Sequence, residues 1–220
     1  MANIPVRLVA LLTLAIMASC SASRPPASDT TSAAAAVAAA PAGAPAQVPM
    51  PAVQPPTPSG TSALDTTVSW RNISFHVVAR GDTLTIQPKG LSIDNRRIDE
   101  PIIGSAVKAE IGDLNKDNWP ELLVYLVSED SVRRGDLIGY SSNAGKSVSQ
   151  LYFSGITYDT TANKGYGGHD EFAIVAGALV QRFPVHDAQG RPTGKTRQIR
   201  YKLIDGEAAR GLKIDKIVEF

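Results

Sequence analysis

Cysteine is nearly absent from this chain: Cys20 is the only one in 220 residues, so no internal disulfide can staple the fold. Histidine is almost as scarce. His76, His169 and His186 lie far apart with no ligand spacing, and there is no HExxH pair of the kind that holds catalytic zinc. A G-x-S-x-G elbow and a catalytic cysteine are missing as well, which removes the common hydrolase machineries and leaves binding as the expected activity. Charge of one sign is lacking too. Removing Arg7, Arg24 and Asp29 from totals of 22 basic and 21 acidic residues leaves twenty of each in the region after residue 64, so neither a nucleic-acid backbone nor a polycation is an evident partner.

No apolar run reaches the roughly 20 residues that a membrane-spanning helix needs. The longest N-terminal one, residues 8–17, follows Arg7 and closes in Met17-Ala18-Ser19-Cys20, which reads as a secretory signal rather than an anchor. The segment resembles a bacterial lipoprotein signal over residues 1–19, in which Cys20 becomes the lipidated N-terminus. Met17 stands where leucine is usual, and a plain signal peptide with an incidental Cys20 is the alternative. Ser21, rather than aspartate, implies an outer-membrane anchor facing the periplasm. Residues 20–64 then hold nine of the fifteen prolines, an alanine run and no aromatic residue. Such a segment buries too little apolar surface to offset ordering entropy, so it is expected to be a disordered tether between membrane and domain.

Residues 65–220 form one domain of ordinary size. Residues 73–77 and 83–86 alternate apolar and polar around Gly81-Asp82, the pattern of a hairpin. Further strands are expected at 107–111, 121–127, 137–140, 148–153, 171–175, 178–183, 197–203 and 211–218, with one helical turn allowed at 205–210. Short strands at such spacing, without helical period or long repeat, predict an all-β fold: a single antiparallel β-sandwich or barrel-like domain of about eight strands.

Three stretches carry chemistry. In Asp113-Leu-Asn115-Lys-Asp117-Asn-Trp-Pro-Glu121, oxygen-bearing side chains at positions 1, 3, 5 and 9 could converge on Ca2+. An EF-hand is excluded, since Val124 and Asn118 replace its glutamate and glycine; Asx turns closing the loop without metal are the alternative. No cofactor is required by either reading. Residues 128–136, SEDSVRRGD, are a polar excursion between two apolar strands, either a partner-contacting loop or a solvated hairpin. Residues 164–172, KGYGGHDEF, place His169 beside Asp170, either as an oriented imidazole or as a structural hydrogen-bonding residue.

GDLNKDNWPELLVYL, then DLIGYSSNAGKSVS, GYGGHDEFAIVAGALVQRFPVH and GRPTGKTRQIRYKL together resemble, over residues 82–205, the periplasmic inhibitors of invertebrate-type (I-type) lysozyme. The resemblance implies an antiparallel β fold, a lysozyme partner bound without turnover, and a polar loop that enters the lysozyme cleft. That loop, S-x-x-Y-G in the family, aligns with Ser131-Val132-Arg133-Arg134-Gly135, where Arg134 replaces the tyrosine. The expected partner-binding residues are thus Ser131, Arg133, Arg134 and Gly135. Rival expectations are an envelope lipoprotein that binds another protein or a glycan, or a calcium-stabilised module. Sheet edges could also pair two copies into a homodimer.

Overall fold

In the computed structural model we describe Leu64–Phe220; the expected signal peptide, Cys20 and the tether up to residue 63 lie outside the described residues. The described chain is all-β, with thirteen strands rather than about eight. Strands β1 (Leu64–Trp70), β2 (Ile73–Arg80), β3 (Thr83–Lys89) and β4 (Ile98–Pro101) form a first antiparallel sheet in sequence order. A second follows as β5 (Ser105–Gly112), β6 (Glu121–Val127), β7 (Gly135–Ser142) and β8 (Val148–Gln150). The third comprises β9 (Tyr152–Phe153), β10 (Glu171–Val175), β11 (Ala178–His186), β12 (Pro192–Ile204) and β13 (Gly211–Glu219), in the order β10-β11-β12-β13-β9. Only β9 pairs in parallel, against β13.

The three sheets bury two separate cores, and the second sheet belongs to both. Along β6, Leu122, Val124 and Leu126 enter a cluster with Phe75, Val77, Leu84 and Ile86 of the first sheet. Leu123 and Tyr125, on the opposite face, enter a cluster with Phe172, Leu179, Phe183, Ile199 and Tyr201 of the third. That placement explains why ELLVYLV is a continuous apolar run while β2 alternates strictly: β6 has no solvent face and β2 has one. Each of these side chains contributes roughly 1.5–3 kcal/mol through burial.

Two expectations change in detail. The run 148–153 is not one strand: β8 pairs with β7, Leu151 donates its amide to Gly139, and β9 joins the third sheet, so the chain crosses between sheets at a buried leucine. Residues 205–210 hold no helical turn. They form a bend in which Gly206 donates to the Ala209 carbonyl and Arg210 Nε pairs with Asp205 at 3.0 Å. Strands β1 and β4 carry little strand signal: the polar residues of LDTTVSW resemble the preceding segment, and IDEP is short and largely polar.

Candidate functional site

The polar loop closes the β6–β7 hairpin, with Val127 opposite Gly135. Its shape follows from its own short side chains. Ser128 donates its amide to the Arg134 carbonyl, and Arg134 returns its amide to Ser128 Oγ at 2.7 Å, so the two ends are clamped. Ser128 Oγ in turn donates to Asp130 Oδ1 at 2.7 Å, and the same carboxylate oxygen accepts the Arg133 amide at 3.1 Å. These bonds, the Ser128 hydroxyl foremost, hold the Asp130 carboxyl below its ordinary pKa.

The tips of this loop are free while its base is fixed. Ser131, Arg133 and Arg134 are exposed, and Gly135 is half-buried. Arg134 Nη1 lies 3.5 Å from Asp130, an exposed pair of small energetic weight. Arg133 has an acceptor-free guanidinium among the described residues and a left-handed backbone, φ +50. That backbone is held because the His169 amide donates to the carbonyls of both Val132 and Arg133, at 3.0 and 3.1 Å.

The fold therefore joins the second and third stretches singled out in the sequence. Asp170 is the link. Its Oδ2 accepts the Gly135 amide at 2.7 Å and the Tyr166 hydroxyl, and its Oδ1 accepts Gln181 Nε2 at 2.6 Å. Gln181 accepts the Tyr201 hydroxyl deep in the second core. Burial raises the Asp170 carboxyl above its ordinary pKa, opposed by these hydrogen bonds. Asp170 is thus an anchor for the loop and not a partner of His169, whose side chain is exposed. Gly168 makes the contact close: a Cβ there would lie 1.9 Å from the Val132 carbonyl oxygen.

A third segment, which carries no motif in the sequence, completes this end of the molecule. Gly104, at φ +88, packs so that a Cβ would stand 2.4 Å from the Val127 carbonyl, and Ser105 Oγ donates to Glu129 Oε1 at 3.0 Å. The residue preceding Gly104, Ile103, is 94 % exposed.

The stretch 113–121 lies at the other end of β6, about 20 Å away at roughly 3.3 Å per residue. Its acceptors serve the loop itself. Asp113 takes the amides of Asp117 and Asn118, Asn115 takes Asp117's, and Asp117 takes Trp119's. Glu121 is fully buried, accepting the Leu114 amide and the Ser141 hydroxyl, both at 2.8 Å. Desolvation pushes its pKa up to about 7. Among the described residues no three His, Cys, Asp or Glu side chains are grouped to hold a metal ion.

The chain matches no family model, no curated protein and no solved structure.

Proposed function

We propose that this protein is a lysozyme inhibitor of the cell envelope, held by a lipid on Cys20 at the outer membrane and blocking the lysozyme cleft with residues 128–136. The observation that carries this reading is the loop's construction: exposed at Ser131, Arg133 and Arg134, yet fixed at its base by the Ser128–Arg134 clamp and by Asp170. A loop already ordered loses little entropy on insertion, which is where rigid inhibitors gain affinity. The sequence resemblance supplies the target class, and the target's chemistry suits the loop. A lysozyme cleft presents two catalytic carboxyl groups, and guanidinium groups pair with carboxylates bidentately. Arg134 exchanges Asp130 for one of them, Arg133 brings a second guanidinium without breaking any internal pair, and Ser131 hydrogen-bonds beside them.

The experiment is inhibition of goose-, chicken- and invertebrate-type lysozymes by the wild type, Arg133→Ala and Arg134→Ala. Inhibition of at least one enzyme, weakened tenfold or more by either substitution, is the expected result. Inhibition of none by the wild type defeats the function; equal potency of all three proteins defeats the arginine mechanism alone.

A further inference from the structure

The outer face of the third sheet carries an electrostatic arrangement that folding alone does not account for. On β12 and β13, Arg200 stands directly opposite Lys216, and Lys202 directly opposite Lys213. All four residues are exposed. Like charges directly opposite across a strand pair are destabilising. The bulge between Arg200 and Tyr201 turns one carboxylate, Asp215, onto the same face, 3.7 Å from Arg200 and 3.8 Å from Lys202. One acid against four bases leaves a net excess of three positive charges within this patch, in a domain whose total charge balances.

The geometry of the array selects its ligand. The intervening Tyr201, Ile214 and Ile217 face the second core, so the cations share one side of a sheet and lie roughly in a plane. Opposed pairs sit about 5 Å apart and the next pair about 7 Å along the strand. A single phosphate needs donors that converge on a point, and these diverge. A plane of separated phosphates meets all four at once. At the edge, β9 adds an aromatic: Phe153 packs against the core, and its neighbour Tyr152, in register with Gly211, is 65 % exposed on the outer side. Tyrosine beside lysine and arginine is the combination that settles at a headgroup boundary, with the ring among acyl ends and the cations on phosphate.

We infer that the β12–β13 face, with Tyr152 at its rim, docks on a bilayer surface rich in anionic phospholipid headgroups. Docking neutralises the repulsion between the opposed cations. The inference stands independently of the lysozyme reading, because the face belongs to the third sheet's outer side and uses none of the residues from 128 to 136.

The test is vesicle co-sedimentation of the full chain carrying Cys20→Ser, so that no acyl chain contributes. Vesicles of phosphatidylglycerol and phosphatidylcholine are compared with pure phosphatidylcholine, and the N-terminal run with Arg7 is common to every variant, so differences between variants are free of it. At least a tenfold higher partition onto the anionic vesicles is expected, abolished by 0.5 M salt as screening demands. Lys202→Glu/Lys213→Glu removes that preference, whereas Arg80→Glu/Lys89→Glu, which changes net charge equally on another sheet, retains it. Melting temperatures establish that both variants are folded. Equal partition onto the two vesicle types, or equal losses in the two double variants, overturns the proposal. So does tighter binding to a short DNA duplex than to the anionic vesicles, which would assign the face to nucleic acid.

Discussion

The amide of Gly135 donates to the Asp170 carboxylate at 2.7 Å, joining positions 35 residues apart and fixing the exit of the exposed loop. Both oxygens of Asp170 accept hydrogen bonds, from Gly135 and Tyr166 on one and Gln181 on the other. Asp170→Asn therefore turns one acceptor into a donor that faces a donor. The expected cost is about 1–3 kcal/mol. Faster hydrogen exchange at the Gly135 amide, with lysozyme inhibition weakened while the arginines are intact, checks the anchoring role. Unchanged exchange at that amide contradicts it.

Glycine placement gives a second check. Gly168 is at φ +85 with the Val132 carbonyl where a Cβ would go, whereas Gly190 has a similar φ of +76 and nothing within 4 Å. Gly190→Ala meets backbone strain only, about 1 kcal/mol. Gly168→Ala adds a backbone collision and is expected to cost at least about 2 kcal/mol more, since neither peptide can retreat cheaply. Urea denaturation of the two variants measures the difference. Equal losses would show that the loop moves aside.

Strand chemistry was legible in the sequence to a degree that sheet assignment was not. Each segment expected as strand lies in one except 148–153, which is split at Leu151 between two sheets; alternation and turn residues act locally. Which sheet a strand joins depends on the partner that covers each face. The signal for three layers was present in ELLVYLV, whose unbroken apolar run marks a strand covered on both sides. The site divides similarly. The polar loop was readable as an excursion, but its dependence on Asp170 was not, since it rests on contact between distant segments. Asp170 beside His169 allowed an oriented imidazole or a structural hydrogen-bonding histidine, and neither points to the Gly135 amide 35 residues away.

Because β6 feeds both cores, the two cannot unfold apart. Leu122→Ala and Leu123→Ala remove fully buried side chains from opposite faces of one strand. Each is expected to cost about 2–5 kcal/mol. Unfolding followed by Trp fluorescence and by far-ultraviolet dichroism should stay coincident in both variants. Two resolved transitions in either one would mean that the cores are independent units.

The loop at 113–121 is closed by its own amides, with Asp113, Asn115 and Asp117 each accepting backbone hydrogen bonds and Asp117 lying 3.5 Å from Arg210. A bound cation would have to displace the arginine and turn Glu121 out of the core. The melting temperature is accordingly expected to be the same in a chelator and in millimolar Ca2+. A rise of several degrees with Ca2+ alone would establish the metal reading instead, since a ligand of the native state stabilises it by mass action.

Glu121 makes stability depend on pH in an unusual direction. Its native carboxyl titrates near 7, against an ordinary 4.5, because burial disfavours the charged form more than the Leu114 amide and the Ser141 hydroxyl favour it. Below pH 4.5 both folded and unfolded chains hold the proton, and the contribution is fully present. Between 4.5 and 7 the unfolded chain releases it while the native state keeps it, so stability falls as pH rises, by about 3 kcal/mol in all. Glu121→Gln removes the titration and keeps the contacts: Oε1 accepts the Leu114 amide, and Nε2 donates to Ser141 Oγ, which already accepts Arg210 at 2.8 Å. Relative to wild type, the variant is expected to gain stability steadily from pH 4.5 to 7.5 and to hold that gain above, on the order of 5–10 °C in melting temperature. Asp170, raised in the same direction, is common to both proteins and cancels in the comparison. An offset that is the same at pH 5 and pH 8 would place the titration of Glu121 outside this window.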